Sequence, residues 1–584
     1  MVIQRFYLTR KILFFVILVG IVSGFGAFFF FVLLHIFSQF FLGVAEYYPP
    51  GPAGEKPFIE LPKIIHGHPL LIAVIPAIGG LISGIITYSI APETEGHGTD
   101  AVIEAFHHKG GEIRARVPPV KTLTSAITIG SGGSAGREGP IAQIGAGFAS
   151  YIASKFKLSD REREILVMSG TAAGIGSIFK APVGASLFAT EVLYKRDFEM
   201  EVFIPSLIAT FIGYGVFSMI VGWQSIFDTP TYILIPAELP LYALLGLVTG
   251  LLAKLYVWFF YSTRDNFFKK IPIPNHFKPF IGGLLVGIIG LTIPEALATG
   301  YGWLQLALYG KLALEIMLIL IFAKIVTTAF TISSGGSGGV FAPSLVIGGM
   351  IGGTMGIIFK ILFPSIVIDP RVFVLIGMAS FFAGAAKVPL ASIVMVAEMT
   401  GEYSILAPAI LASVVAYIVS GESTIYEQQL DRREESPVHI PEYFSMLLYT
   451  LKVKDAMSPD YITIYEDNTI LEVEQIVGKR HHLAVPVVNR NNKCIGLVTI
   501  YDILNIPPVE WSNKKVKNVL KKTRCYVSPD EPIINAISLM LKLGIGRLPV
   551  VNNYRDKIII GEITYEDIFK IVYYKAGEKL PEIS

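Results

Sequence analysis

Between residues 12 and 45 the chain carries no Lys, Arg, Asp or Glu. A secretory signal has an apolar core of about 7–15 residues, so this run is too long to be one. As a helix it would extend about 50 Å, against a hydrocarbon core near 30 Å. It reads as a long, strongly tilted membrane helix. Arg5, Arg10 and Lys11 precede it, and basic flanks stay on the cytoplasmic side, so the N-terminus is expected in the cytoplasm. Composition agrees. Of 584 residues, 52% are hydrophobic and 16% are charged, against about 25% charged in a soluble chain. The net charge of +2 argues neither for nor against nucleic acid, and no such partner is expected.

Apolar stretches recur between residues 69 and 420, many of them short or broken by Gly and Pro: 70–90, 166–179, 181–193, 202–221, 239–260, 280–293, 315–332, 345–363 and 373–382. The basic linkers at 155–163 and 264–278 are expected in the cytoplasm, and the Pro-rich, aromatic loop 46–68 on the outside. Short apolar segments suit half-helices that stop inside the membrane, where irregular backbone is tolerated only if buried or lining a cavity.

An internal repeat supports half-helices. Residues 131–145 read SGGSAGREGPIAQIG and residues 334–348 read SGGSGGVFAPSLVIG, with eight of fifteen positions identical. A second pair follows. Lys180-Ala181-Pro182 precedes Glu191, Lys387-Val388-Pro389 precedes Glu398, and each Lys and Glu are eleven positions apart. Glycine-rich breaks at matching places in two halves point to a substrate site near the bilayer midplane. Close helix packing is the other use for such glycines, but packing does not demand this degree of identity.

Gly136-Arg137-Glu138-Gly139-Pro140 places flexible backbone before a helix start, with Pro140 near the first turn. Gly338-Gly339-Val340-Phe341-Ala342-Pro343 does the same in the second half. Helix N-termini expose free N–H groups and about half a positive charge. Two converging starts therefore make an anion site without a full cation. Glu138 stands beside that site, as a competitor for the anion or as a proton carrier, since an ionisable group at membrane depth is a functional candidate. A surface pair with Arg137 is the alternative. The intramembrane carboxylates are too few for a hard-cation site, no metal site is expected, and no phosphate loop of the ATP-using kind is present. The chain is not expected to be an enzyme.

The segments from Gly136 to Pro140 and from Gly339 to Pro343 resemble two of the three signature motifs of the CLC family of chloride channels and proton–chloride exchangers. The third, usually Gly-Ser-Gly-Ile-Pro, reads Gly96-His97-Gly98-Thr99-Asp100 here. The resemblance covers roughly residues 10–430. It implies an all-α polytopic membrane domain with inverted repeats, a homodimer in the cell membrane, and one anion pathway per subunit. It also implies that Glu138 is the external gating glutamate. The backbone at Gly339, Val340 and Phe341 would bind the central anion, with the Tyr426 hydroxyl reaching it from the inner side. His97 stands where the family has a serine that donates to the anion, a position tied to anion preference. Val192 stands where exchangers carry a second glutamate that relays protons. The expectation is passive conduction of chloride or a similar small anion gated by Glu138, with a proton-coupled antiporter as the alternative. Glu191 is expected to be structural.

After Tyr426 the composition shifts. Asp431-Arg432-Arg433-Glu434-Glu435 is polar, and two repeats with short apolar strands and amphipathic helices follow. The first begins Lys454-Asp455-Ala456-Met457 and ends Gly496-Leu-Val-Thr499-Ile-Tyr-Asp502; the second begins Lys517-Asn518-Val519-Leu520 and ends Gly561-Glu-Ile-Thr564-Tyr-Glu-Asp567. They resemble a soluble α/β tandem CBS pair. The expected organisation is a membrane domain over 1–430, a linker over 431–450, module 1 over 451–507, and module 2 with its tail over 508–584, on the cytoplasmic side. In nucleotide-binding pairs Asp502 and Asp567 would hold ribose, and Thr499 and Thr564 would approach phosphate of ATP, ADP or AMP. The other reading is that these residues cap the following helices. No cofactor is expected to be required. Cys494 and Cys525 fit no disulfide framework or zinc spacing, and a reducing compartment suits them.

Overall fold

The computed structural model describes residues 9–61, 68–233, 235–480, 484–520 and 523–577. Arg5 and residues 62–67 of the first loop lie outside this range. The chain divides into two compact units, Met1–Arg433 and Glu434–Ser584.

The first unit is helical, in two sets of eight. The first comprises α1 (Arg10–Val44), α2 (Ile75–Ile90), α3 (Thr99–His108), α4 (Val117–Gly130), α5 (Glu138–Lys155), α6 (Asp160–Phe179), α7 (Pro182–Glu191) and α8 (Met200–Val221). The second comprises α9 (Leu239–Ser262), α10 (Lys278–Thr292), α11 (Tyr301–Leu308), α12 (Leu314–Ser333), α13 (Phe341–Leu362), α14 (Val372–Ala386), α15 (Pro389–Thr400) and α16 (Leu406–Val419). The packing repeats with the sequence. Helix α1 packs on α6 and α8, as α9 does on α14 and α16; α5 packs on α4 and α6, as α13 does on α12 and α14. The halves meet through equivalent members, α2 against α10 and α7 against α15.

Local chemistry explains the ends. The 35-residue α1 starts where Thr9 Oγ1 accepts from the Ile12 amide. Helix α6 starts on a reciprocal cap between Ser159 and Glu162. Helices α6 and α14 each end on a lysine in the left-handed region, Lys180 at φ 53° and Lys387 at φ 59°. Glycine would reach that conformation with less strain, but lysine brings a tether. Lys180 Nζ donates to Gln224 O at 2.7 Å, and Lys387 Nζ to Tyr417 O at 3.1 Å and Ser420 Oγ at 2.5 Å. Pro182 and Pro389 then start α7 and α15.

Among the described residues five helical segments are long and apolar enough to cross a bilayer. Phe14, Phe29, Met219, Trp258 and Ile361 are exposed on them, a display suited to lipid. Every residue of α14, by contrast, is buried, as expected for a helix apolar on all sides. Helices α3, α7, α11 and α15, of ten, ten, eight and twelve residues, are too short for a 30 Å core at about 1.5 Å per residue. Their ends must be satisfied by protein. Glu398 of α15 accepts from the amides of Val183 and Gly184 at 3.1 and 2.8 Å, at the start of α7. Glu191 of α7 accepts from Leu390 and Ala391 at 3.2 and 2.8 Å, at the start of α15. Glu191 is thus one half of a reciprocal cap, and buried Val192 follows it.

The second unit contains α17 (Ile440–Thr450), α18 (Val453–Ala456), α19 (Ile470–Arg480), α20 (Ile500–Leu504), α21 (Ile533–Leu543) and α22 (Tyr565–Gly577). A three-stranded sheet runs β1 (Ile464–Tyr465), β2 (Ala484–Val488), β3 (Cys494–Thr499), with β1–β2 parallel and β2–β3 antiparallel. A second sheet pairs β4 (Arg547–Val551) antiparallel with β5 (Ile559–Thr564). Residues 431–450, expected as a linker, include α17, which packs on α21 and α22. The repeat starts also exchange partners. Val453 and Lys454 donate to Glu531 O and Pro529 O of the second module, whereas Val516, Val519 and Leu520 join the core of the first.

Substituting Glu398→Ala leaves two helix-start amides without a partner, a loss of about 1–3 kcal/mol. The expected outcome is a lower midpoint in thermal unfolding of the detergent-solubilised chain, with a smaller loss for Glu398→Gln. An unchanged midpoint in both variants would show that the exchanged caps carry no stability.

Candidate functional site

The starts of α3, α5 and α13 converge. Gly136 N donates to Gly339 O at 2.7 Å and Gly339 N to Gly136 O at 2.6 Å, an antiparallel bridge between the two glycine-rich breaks. Gly338 N donates to Gly96 O at 3.2 Å, which brings in the segment before α3. The bridge is possible because glycine is on both sides. A Cβ on Gly136 or on Gly339 would overlap the Glu138 carboxylate.

Glu138 is buried. Its side chain crosses from α5 to the start of α13, where Oε1 accepts from the Phe341 amide and Oε2 from the Ala342 amide at 3.4 Å. The carboxylate thus occupies the free N–H groups and positive end of the opposite helix. Gly339 N is engaged with Gly136 O, and the Ala342 amide joins that of Phe341 in meeting the carboxylate. Val340 is the residue before α13, and its carbonyl accepts from Ser344 Oγ at 2.7 Å. The Phe341 ring is fixed edge-on against Phe382 and Phe179, with centroids 4.6 and 5.4 Å away.

Arg137 does not pair with Glu138. Its guanidinium forms a two-pronged ion pair with Glu55 of the first loop, one contact being 3.0 Å, and both side chains are at least 95% buried. It also lies 5.1 Å from the Phe179 ring centroid and 5.4 Å from that of Tyr301. A cavity of 510 Å³ lies at this pair, lined by His35, Tyr48, Glu55, Arg137, Tyr301 and Trp303 among others.

His97 and Tyr426 lie together, their ring centroids 5.4 Å apart. His97 Nε2 is 3.1 Å from Asp100 Oδ2, and its buried Nδ1 has no hydrogen-bond partner among the described residues. The Tyr426 hydroxyl is buried near the Thr99 side chain and closes no hydrogen bond of normal geometry among the described residues. Asp100 also accepts from the Glu427 and Gln428 amides at 3.3 and 3.2 Å, which ties α3 to the segment carrying Tyr426.

Two buried lysines hold the segments that enter the site. Lys121 Nζ donates to Thr94 O and Gly96 O at 2.9 and 2.8 Å, ahead of α3. Lys324 Nζ donates to Ala296 O and Ala298 O at 3.0 and 2.6 Å, ahead of α11. Each precedes its Ser-Gly-Gly-Ser by ten positions, and Lys-x-x-Thr begins both segments. The repeat therefore extends further upstream than the 15-residue comparison captured. Its serines cross over: Ser134 Oγ is 2.9 Å from Thr328 Oγ1, and Ser337 Oγ is 2.9 Å from Ser125 Oγ.

In the second unit both Thr-x-x-Asp endings form reciprocal caps. Asp502 Oδ2 accepts from Thr499 N and Oγ1 at 2.9 and 2.6 Å, at the start of α20. Asp567 Oδ2 accepts from Thr564 N and Oγ1 at 3.1 and 2.6 Å, at the start of α22.

Comparison with known proteins agrees with this architecture. A family model described as voltage gated chloride channel matches residues 79–421, and one described as CBS domain matches 453–508 and 516–574. The chain is 28% identical over 589 residues to chloride channel protein CLC-f of Arabidopsis thaliana, covering 85% of this chain and 73% of that protein. It is 30% identical over 378 residues to the H(+)/Cl(-) exchange transporter ClcA of Klebsiella pneumoniae, covering 62% and 79%. Among solved structures, a slow cyanobacterial Cl-/H+ antiporter superposes with a TM-score of 0.62 at 24% identity, over 72% of this chain and 96% of that one. A eukaryotic CLC transporter gives 0.56 at 18% identity, over 95% and 98%.

Removing the guanidinium by Arg137→Gln strands a buried Glu55 carboxylate, a loss of about 3–5 kcal/mol. The variant is expected to unfold at a clearly lower temperature in detergent, and the double variant Arg137→Gln with Glu55→Gln to recover much of the loss. No recovery in the double variant would show that the pair is not the cause.

Proposed function

Because this chain belongs to the voltage gated chloride channel family, we propose that it conducts chloride or a similar small anion passively across a membrane, with Glu138 as its gate. One observation carries this reading: the Glu138 carboxylate sits on the Phe341 and Ala342 amides at the start of α13. Amides that satisfy a carboxylate also satisfy a halide. The two compete for one place, so an ionised Glu138 blocks and a neutral one yields. In this reading the Val340 amide and the Tyr426 hydroxyl reach the anion from the inner side of the Phe341 amide that Glu138 occupies. Gly339 keeps the space clear.

His97 adds a condition. While Nε2–H stays on Asp100, a neutral ring turns the Nδ1 lone pair outward, which repels an anion. Only the imidazolium offers N–H to both Asp100 and the anion. His97 therefore gives the anion a donor only when both ring nitrogens carry hydrogen, unlike a serine hydroxyl, and anion preference is expected to depend on this position.

Proton-coupled exchange is the second reading, favoured by the name of the Klebsiella relative. Passive movement is preferred because Val192 is apolar and buried, and because Glu191, one position earlier, is engaged in the α15 cap. The membrane unit is taken to act as a homodimer with both termini in the cytoplasm and the C-terminal pair as regulator. An adenine nucleotide (ATP, ADP or AMP) is its proposed ligand, approached by Asp502 and Asp567 in the side-chain positions their caps fix.

Vesicles carrying the purified chain test transport. Chloride or nitrate should run down its gradient while potassium is held back, with no proton pumping under a chloride gradient alone. Fixed-ratio proton pumping would establish exchange, and a potassium leak with anions retained would end the anion reading. In the same vesicles flux should change with pH by at most about tenfold per unit, as a single site's neutral fraction does. It should rise on acidification, because protonation removes the competing charge. Glu138→Gln should flatten that dependence, and an unaltered profile would mean that Glu138 is not the gate.

Calorimetry of the full-length chain with ATP, ADP and AMP tests the regulator. Binding should weaken by about 1–3 kcal/mol on Asp502→Ala or Asp567→Ala. No heat with any of the three would leave the aspartates as helix caps.

A further inference from the structure

The chain has two cysteines, and folding brings them together from separate modules. Cys494 opens β3 of the first module. Its N–H donates to Lys557 O of the second at 2.9 Å, and Lys493 bridges Ile558 beside it. Cys525 lies two residues before Val527, which pairs in parallel with Val550 of β4. Both side chains sit in one apolar core, 2% and 0% exposed, and the two thiols are close enough there to influence each other.

We propose that Cys494 and Cys525 form a redox-sensitive pair that closes a disulfide across the module seam when a peroxide reaches it, and reopens under a thiol reductant. The thiols are unequal. The neighbouring Cys525 thiol and nearby Lys557 favour the Cys494 thiolate, while the presence of Cys494 and burial keep the proton on Cys525. Cys494 is therefore the attacking sulfur and Cys525 the resolving one.

With hydrogen peroxide the Cys494 sulfur attacks one oxygen. An S–O bond forms, the O–O bond breaks, and the leaving hydroxide takes the thiol proton as water. Cys525 sulfur then attacks the sulfenic sulfur. The S–S bond forms, the S–O bond breaks, and a second water leaves with the Cys525 proton. Two thiols are oxidised and one peroxide is reduced to two waters. Thiol–disulfide exchange with a small-molecule thiol reverses the change. A buried pair is reached when Lys493 and Cys494 part from Lys557 and Ile558, so the reaction reads out opening of the seam. Once made, the link closes the loop between residues 494 and 525 and restricts the unfolded chain.

The test uses the full-length protein in detergent, reduced, desalted and treated with hydrogen peroxide. It is then denatured, alkylated with a maleimide and mapped without reductant. Both alkylatable thiols should disappear, a Cys494–Cys525 linked peptide should appear in monomer-sized chains, and dithiothreitol should restore both thiols. The oxidised chain should also unfold at a higher temperature. Cys525→Ser should accumulate a dimedone-reactive sulfenic acid at Cys494, whereas Cys494→Ser should leave Cys525 largely unreacted. Two thiols still free after treatment would overturn the proposal. So would links only between chains, oxidation to sulfinic acid without a link, or equal reactivity of the two single variants.

Discussion

Two backbone hydrogen bonds between Gly136 and Gly339 hold the starts of α5 and α13 against each other, and the membrane unit is arranged around that contact. Helix starts carry positive partial charge, so two of them facing each other at depth leave N–H groups that need a negative partner. Glu138 supplies it from one helix to the other. The buried lysines, the crossing serines and the fixed Phe341 ring hold the surrounding backbone in place.

Near-symmetry makes the site, and a break in symmetry makes its two halves chemically unlike. In the repeat Glu138 corresponds to Phe341, and Glu138 is bonded to the Phe341 amide. One half contributes a charge that can be neutralised, and the other contributes a fixed donor flanked by aromatic rings. Elsewhere the halves do the same work twice. Lys121 and Lys324 clamp entering segments, Ser134 and Ser337 reach across, and Glu191 and Glu398 each cap the helix that carries the other. Symmetric pairs of this kind stabilise the frame.

The C-terminal unit follows a related logic. Its modules trade their leading segments, so Val453 and Lys454 complete the second module and Val516 to Leu520 the first. A change at the seam is therefore felt in both cores. Residues Asp502 and Asp567 illustrate how one residue type can satisfy two readings, because a helix cap also fixes the direction in which a carboxylate is presented.

Membrane residence, the two halves, the glycine breaks, the place of Glu138 beside them and the two modules were legible in the sequence. Each depends on a local pattern: an uncharged run, a repeated Ser-Gly-Gly-Ser, a repeated Thr-x-x-Asp. Lys121 and Lys324 were overlooked although the repeat carries them, because a lysine in an apolar stretch shows its role only through the carbonyls it meets. The pairing of Arg137 with Glu55, the meeting of the Ala342 amide with Glu138, the bond from His97 to Asp100 and the meeting of Cys494 with Cys525 had no local signature. Each joins residues that are distant in the chain or turns on which N–H is already taken, and sequence spacing carries neither kind of information. The chain by itself therefore determined which segments enter the membrane and where they break. Only the tertiary structure decided which buried donor meets which acceptor, because that choice depends on distances between helices that no single helix specifies.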